Sequence, residues 1–310
     1  MSRNYGWKSR DMFSAAMMSI RHGVYHKEFS YSSYGTLCYR FRKFVSFLQD
    51  NGINRLESIS PDCVIRYGKG LADLVMHEQI QSCYAQCLVS AINTVLSKAS
   101  SGQWESISPT RDCEIPKRSS VRRCPTCALS IICEGIEKIR MSGLHRQAYI
   151  AELCIFLGLR VKEASLIDCV SSYNELLGDG IISITKGSKG GRPRKLEEIN
   201  PDQVEIIKKA AEFQGSGDSL IPENMNWKKW NNNELSKGRK VLRYLNIYGY
   251  RELRSAYAAE KYFSITNQPA PCNGGRIVDK DLDKHARQVI AKELGHGRID
   301  VVSSYIGGRR

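Results

Sequence analysis

Apolar residues recur at helical spacing through most of the chain. Between residues 30 and 100, three segments carry apolar positions three and four residues apart, such as Leu37, Phe41 and Leu48 in the first of them. Ser60 precedes a proline at the start of the second segment, a pair that is typical of a helix start. This part of the chain is therefore predicted to form an all-helical bundle.

One stretch of the second half alternates instead. In GIISITKGSKGGRPRK, Ile182 and Ile184 alternate with polar residues and a glycine-rich turn follows, which predicts a β-hairpin with a basic tip. The segments on both sides of it keep helical spacing. The predicted fold class is therefore mainly α, with a helical bundle followed by a mixed, mostly helical domain that contains a small β-sheet.

A change of composition divides the chain into these two parts. The stretch from Ser101 to Arg123 is rich in Ser, Pro, Thr and basic residues and has no sustained period, as expected of a linker. A chain of 310 residues is long enough for two domains with separate cores. We predict an N-terminal extension at 1–29, a helical domain at 30–105, a basic linker at 106–123 and a second domain at 124–310.

The net charge points to a polyanionic partner. Lys and Arg number 46 against 32 Asp and Glu, a net charge of +14, and nucleic acid is the first candidate. A basic surface that binds no partner is the alternative. Two acid-free clusters, PKRSSVRR and KGSKGGRPRK, favour DNA phosphate contacts. The residues expected to make them are Lys117, Arg118, Arg122, Arg123, Lys189, Arg192 and Arg194.

Cysteine usage and hydropathy indicate a cytoplasmic protein without a metal. The 11 cysteines are an odd number spread through helical segments, which fits reduced thiols. Cys124 and Cys127 have the spacing of zinc ligands, but no second pair follows at a matching distance. Neither a signal peptide nor a run long enough for a membrane span is present. We therefore expect a nucleoid-associated location and no membrane partner.

The C-terminal sequence KELGHGRIDVVSSYIGGRR raises a geometric question. On one unbroken helix, the nine steps from His296 to Tyr305 would turn about 100° each and leave the two side chains on opposite faces. Gly297 is placed to end a helix, and Asp300 is placed to cap a new one. The stretch is thus predicted to be helix, break, helix, which can bring His296 and Tyr305 together.

Arginines occur at two further helix boundaries. Arg160 follows the glycine that closes an apolar helix, where a surface salt bridge to Glu163 is the alternative to a functional role. Arg251 and Arg254 lie three apart at the start of another helix, which is already electropositive. Cations there do not help the helix, but they are well placed to bind an anion.

These segments, in this order, resemble the boxes of the tyrosine recombinases, the phage integrase family of DNA strand-transfer enzymes. GLRVKEASLID is similar to the first box, ITKGSKGGRPRK to the strand-turn-strand, RELR to the His-x-x-Arg box and LGHGRIDVVSSYI to the closing box. The resemblance covers roughly 124 to 306, and the N-terminal bundle more loosely resembles the core-binding domain. It implies a catalytic set of Arg160, Lys186, Arg251, Arg254, His296 and Tyr305, with Glu163 as a supporting acid and Lys189 a less favoured substitute for Lys186.

The residue types fit the chemistry of strand transfer. Arginines such as Arg160 and Arg254 neutralise the charge that attack builds on a phosphodiester, and a lysine can protonate the leaving 5′ oxygen. A phenol such as Tyr305 can form a covalent 3′-phosphotyrosyl intermediate that conserves the bond energy. The expected reaction therefore needs neither ATP nor metal, and no cofactor is predicted.

Two features depart from the family pattern. Arg251 stands where the family usually has a histidine, and it cannot release its proton near neutral pH. The stretch 266–284 is longer than usual and has the composition of a surface insertion.

The function expected from the resemblance is integration or excision of a mobile element. The expected partners are double-stranded DNA sites and three further copies of the chain on paired sites, with accessory DNA-bending factors left open. A catalytically inactive architectural DNA-binding protein on the same scaffold is the main alternative, which Arg251 makes conceivable. A type IB topoisomerase-like relaxer shares the same chemistry.

Overall fold

The structure is a computed structural model that describes residues 3–188 and 191–309. The chain divides between Ser119 and Ser120 into two compact units, each with a hydrophobic core of its own. Both units are mostly helical in the described part of the chain, and the second contains a two-stranded antiparallel sheet. The mainly α fold class is therefore confirmed. Among the described residues, no helix combines the length and apolarity needed to span a bilayer.

Among its described residues, the first unit contains four α-helices. They are α1 (Met12–Tyr25), α2 (Tyr31–Asp50), α3 (Pro61–Met76) and α4 (Ser82–Ala99). Side chains of Asp11, Ser30 and Ser60 cap the first three helices by accepting backbone N–H groups of the first turn. The helical periodicity of 30–100 predicted α2, α3 and α4 correctly.

The core of this unit extends beyond the predicted 30–105 segment at both ends. Met12, Ala16 and Ile20 of α1 are buried in it, so residues 12–25 form part of the bundle where we had expected an extension. Ile107 and Ile115 are buried in the same core, although they fall in the segment expected to be linker. Ile107 and Ile115 are isolated apolar residues among polar ones and show no period, which is why the sequence pattern missed these two.

The second unit contains ten helices and two strands among the described residues. In chain order they are α5 (Leu129–Met141), α6 (His145–Phe156), α7 (Val161–Leu166), α8 (Cys169–Asp179), β1 (Ile182–Ile184), β2 (Arg194–Leu196), α9 (Pro201–Gln214), α10 (Trp227–Lys229), α11 (Leu235–Tyr244), α12 (Tyr250–Thr266), α13 (Lys280–Glu293) and α14 (Ser303–Ile306). Helix α12 is largely buried and packs against α6, α13 and α14.

The two strands form the predicted hairpin. Ile182 pairs with Leu196 and Ile184 pairs with Arg194, and both isoleucines are buried as their alternation indicated. Lys189, which falls between the two strands in the sequence, lies outside the described residues.

The stretch 266–284 is not simply a surface insertion. It contains a short 3-10 turn at Pro271–Asn273 and the start of α13, and Cys272 and Asp283 are buried. Buried positions within a Pro- and Gly-rich sequence carry no periodic signal, so the composition alone was misleading.

Candidate active site

The C-terminal segment forms a helix, a break and a second helix, as predicted. The break lies at Gly295, whose φ of +63° is in the left-handed region, and not at Gly297. A 3-10 turn over Ile299–Val302 leads into α14, and Asp300 lies inside that turn without capping it. The break allows the chain to reverse and places Tyr305 beside His296.

Tyr305 and His296 are in direct contact. The hydroxyl of Tyr305 lies 3.2 Å from Nε2 of His296, and the ring centroids are 5.5 Å apart. Only 7% of Tyr305 is exposed, so the residue is largely shielded from solvent. The two residues form one end of the candidate site.

Arg254 lies beneath the Tyr305 ring, in the second turn of α12. Its guanidinium carbon is 5.6 Å from the centroid of that ring, and only 2% of the residue is exposed. Nη2 donates to the carbonyl of Leu294 at 2.5 Å and Nη1 donates to the carbonyl of Gly158, while the buried Nε has no partner among the described residues. Burial lowers the pKa of Arg254 to about 10, which leaves it charged near neutral pH.

Glu163 is the buried carboxylate that organises the arginines. It accepts from Arg160 Nη1 at 2.6 Å and from two nitrogens of Arg194 at 2.8 Å each, and Nη1 of Arg254 lies 3.7 Å away. Burial alone would raise the pKa of Glu163, but the hydrogen bonds and charges of Arg194 and Arg160 outweigh it, so the pKa lies below its usual value. Glu163 therefore stays ionised and fixes the arginines.

Arg160 caps helix α7 together with Glu163. Its backbone N–H donates to Glu163 Oε2 at 2.7 Å, while its side chain, 22% exposed, donates to Oε1. The sequence indicated this salt bridge, but Glu163 is fully buried, so the pair is not an ordinary surface pair. The side chain of Arg160 is therefore partly open to solvent.

Arg194 corrects one of the predicted phosphate contacts. Its side chain is only 6% exposed. It donates two hydrogen bonds to Glu163, and its Nε donates to the carbonyl of Glu293 at 2.7 Å. The strand register explains this, because residues paired across a ladder share a face and Ile184, opposite Arg194, is buried. The hairpin register was the signal that could have identified Arg194 as an internal partner.

Arg122 is the second correction. The side chain, 15% exposed, binds both carboxylate oxygens of Glu252 at 2.5 and 3.0 Å, and it donates to the carbonyls of Cys124 and Pro125. Its backbone N–H donates to the carbonyl of Ser303 at 2.9 Å. The partner lies 130 residues away in sequence, so no local pattern could reveal it. The exposed residues of the predicted basic set are Lys117, Arg118, Arg123 and Arg192.

Lys186 lies on the exposed turn after β1. A Cβ on the neighbouring Gly187 would come within 2.9 Å of the Lys162 carbonyl, so the turn packs against the start of α7. Among the described residues, Lys186 shares no hydrogen bond or ion pair with the arginines or with Tyr305. Its side chain instead lines a cavity with Asp168.

Arg251 occupies the predicted position beside the tyrosine. It is exposed, and its guanidinium carbon lies 5.9 Å from the centroid of the Tyr305 ring. The departure from the family histidine thus retains a cationic donor next to the phenol.

Comparisons with solved structures find the same fold in other proteins. The whole chain is similar in structure to a lambda integrase dimer bound to a COC′ core site, with 16% identity, a TM-score of 0.61, and coverage of 96% of this chain and 78% of that chain. A second lambda integrase structure bound to DNA shows 12% identity, a TM-score of 0.59 and coverage of 94% and 96%. The Tn1549 transposon integrase in complex with transposon right end DNA shows 8% identity and a TM-score of 0.57, with coverage of 95% of each chain.

The fold is that of the tyrosine recombinases. The sequence model of the family described as Integrase matches residues 130–260, the segment that carries Arg160, Lys186 and Arg254. This match agrees with the family resemblance predicted from the sequence. No curated protein sequence matches the chain.

Proposed function

We propose that the protein is a site-specific DNA recombinase that cleaves and rejoins DNA through a 3′-phosphotyrosyl intermediate. The observation that carries this proposal is the contact of the Tyr305 hydroxyl with His296 above the buried Arg254. A phenol held between an imidazole and two guanidinium groups is suited to attack a bound phosphodiester. The family match and the similarity to DNA-bound integrases support the same reaction class.

In this mechanism the phosphate is held by cations. Arg254 and Arg160, fixed by Glu163, neutralise the non-bridging oxygens as charge develops on them. Arg251 supplies a further donor from the exposed side of Tyr305. His296 accepts or donates a proton at the phenolic oxygen during attack and rejoining.

The leaving 5′ oxygen needs a proton donor, and we assign that role to Lys186. The exposed turn that carries it packs against α7, next to the arginine that binds phosphate. A flexible lysine side chain can turn from the Asp168 side toward a DNA strand once the strand is bound. The bond energy stays in the phosphotyrosine, so rejoining by this route requires neither ATP nor metal.

The partners in this proposal are double-stranded recombination sites and a tetramer of the chain on paired sites. Among structurally similar proteins is a lambda integrase tetramer bound to a Holliday junction, with a TM-score of 0.55. Integration or excision of a mobile element by a nucleoid-associated enzyme is the proposed use. The helical first unit would serve as the core-binding domain, with Lys117, Arg118, Arg123 and Arg192 on phosphates.

The test is covalent trapping on DNA. A nicked duplex carrying the ends of the element that encodes the protein should give a slow-migrating protein–DNA adduct on a denaturing gel. An inactive architectural protein would bind the same duplex without forming an adduct. A topoisomerase-like relaxer would form the adduct but would not pair two sites.

A further inference from the structure

The short helix that carries Tyr305 is held at both ends by one side chain. Arg287 of α13 donates from Nη1 to Ser303 Oγ at 3.3 Å, at the start of α14, and to the carbonyl of Gly307 at 3.1 Å, just after its end. A helix of four residues cannot stabilise itself, because nucleation fixes several residues for a single hydrogen bond. Its position is therefore set by contacts of this kind.

Arg287 is itself fixed by a buried carboxylate. Nε donates to Asp283 Oδ1 at 2.8 Å, and each of these two residues is only 1% exposed. The same oxygen accepts from the hydroxyl of Tyr262 at 3.0 Å, while Oδ2 pairs with Arg309 at 2.9 Å. These contacts with Asp283 fix the orientation of the Arg287 guanidinium group that binds α14.

Stability alone does not account for this arrangement. A buried ion pair is usually no more stabilising than well-packed apolar residues, because both charges must leave water. Nη2 of Arg287 has no hydrogen-bond partner among the described residues, which adds to that unfavourable term. What a forked, hydrogen-bonded guanidinium provides over an apolar side chain is one defined geometry.

That geometry connects Tyr305 to the rest of the site. Helix α13 ends just before Leu294, whose carbonyl accepts from Arg254, and His296 follows two residues later. Arg287 therefore links the tyrosine helix to the same helix that places His296 and an acceptor of Arg254.

The start of α14 has a second anchor, the Arg122 backbone N–H that donates to Ser303. At the end of α14, Arg287 donates to the carbonyl of Gly307 at 3.1 Å, and another contact there is the weaker one of Cys272 Sγ with the Tyr305 carbonyl at 3.8 Å. Loss of Arg287 should therefore loosen the end of α14 more than its start.

We infer that Arg287, oriented by Asp283, is a positioning residue for the nucleophile. It holds the Tyr305 hydroxyl at the distance from His296 and Arg254 that attack requires. The inference rests on the proposed function only in taking Tyr305 as the attacking group. The bond from Arg287 to Gly307 and the burial of Asp283 were not indicated by the sequence, which placed Asp283 in a surface insertion.

The first experiment needs no DNA. Hydrogen exchange of residues 303–309 is compared among the wild type, Arg287→Lys and the double variant Asp283→Asn/Arg287→Met, which leaves no unpaired buried charge. Lys292→Met is the matched control, because it removes a cation from an exposed ion pair on the same helix. We expect exchange about 10-fold faster at the end of α14 in both Arg287 variants, with 160–167 and 250–256 unchanged, since local openings are governed by local contacts. Unchanged exchange in folded variants would overturn the inference.

The second experiment separates positioning from charge. Arg287→Lys keeps the ion pair with Asp283 but cannot also bridge Ser303 and Gly307. Single-turnover cleavage of nicked DNA should fall about 10- to 100-fold in maximal rate with little change in the DNA concentration for half-maximal rate, because a small displacement of a nucleophile has effects of that size. Full wild-type activity in Arg287→Lys would show that Arg287 is only a charge partner. If the wild type forms no adduct, the proposed function fails, while the exchange result still decides the positioning role.

Discussion

The cluster around Glu163 and the hairpin turn at Lys186 are held in opposite ways, although both belong to the proposed catalytic set. Glu163 is fully buried and binds Arg160 and Arg194 at 2.6–2.8 Å, whereas Lys186 is exposed on a turn. The groups proposed to bind the charged phosphate are therefore preorganised without DNA, and the proposed proton donor is not. Fixed cations need no reorganisation during the reaction, while a lysine can be brought in by the bound strand.

The largest expected effect comes from breaking the buried cluster. Glu163→Gln leaves three guanidinium groups without their carboxylate, and removal of one partner from a buried ion pair costs about 3–5 kcal/mol of unfolding free energy. Chemical denaturation of the full chain measures this loss. Glu234→Gln, in an exposed pair with Lys237, is the control and should change little.

The pH dependence of stability gives an independent check of the same cluster. The folded pKa of Glu163 lies below its unfolded value, so its contribution is complete above the unfolded pKa, about 4.3, and is lost as pH falls through the folded pKa. The wild type should therefore lose its advantage over Glu163→Gln only in acid. An advantage that grew as the pH fell would contradict the assigned ionisation.

Replacement of Lys186 should lower the cleavage rate and not the stability, the reverse of the effect expected for Glu163. Lys186→Ala removes an exposed side chain, so stability should stay within about 0.5 kcal/mol. Cleavage should fall by about 100-fold or more, the range of a lost general acid. A substrate whose 5′ oxygen is replaced by sulfur, a better leaving group, should restore most of the rate. A loss of stability instead of rate would place Lys186 with the structural residues.

Arg251 is expected to have a smaller effect. Arg251→Ala should lower the cleavage rate about 10- to 100-fold, the scale of one phosphate-stabilising donor, while Arg251→His should retain substantial activity. The single-turnover rate at saturating DNA is the measurement. If the alanine variant cleaves as fast as the wild type, the position lies outside the reacting site.

The basic residues give the smallest and most specific contrast. Replacing Arg118 and Arg123 by Gln should lower the slope of log affinity against log salt by roughly one to two units, because each released phosphate contact contributes about 0.9. Arg122→Gln should leave the slope nearly unchanged and lower the thermal stability, since Arg122 is occupied by Glu252. Titrations at several salt concentrations with unrelated DNA sequences test both expectations.

The sequence predicted those parts of the fold that have a local signal. Helical spacing gave α2, α3 and α4, alternation gave the hairpin, and the distance from His296 to Tyr305 required a break. The exact hinge was misplaced because Gly295 and Gly297 are equally good candidates by composition, and only the backbone shows which has positive φ. Local sequence patterns therefore predicted the elements and the need for a break, but not the residue at which the chain turns.

The remaining features depend on contacts between distant segments. In the sequence, Arg122 and Arg194 look like free cations. Charge clustering does not show that Glu252 folds against Arg122 and that Glu163 folds against Arg194. The buried Asp283 was hidden for the same reason, within a stretch whose composition is that of a surface loop. The candidate site could be predicted by residue type and order, but of the residues that hold it only Glu163 was indicated.

Formation of a covalent adduct by Tyr305 tests the central claim most directly. Tyr305→Phe removes one oxygen and leaves the ring above Arg254, so folding and DNA affinity should remain close to those of the wild type. On a nicked duplex carrying its own recombination site, the wild type should give a slow-migrating band on a denaturing gel, and the Tyr305→Phe variant should give none. An adduct of equal yield from the phenylalanine variant would mean that another residue attacks the DNA, and the account of this site would be wrong.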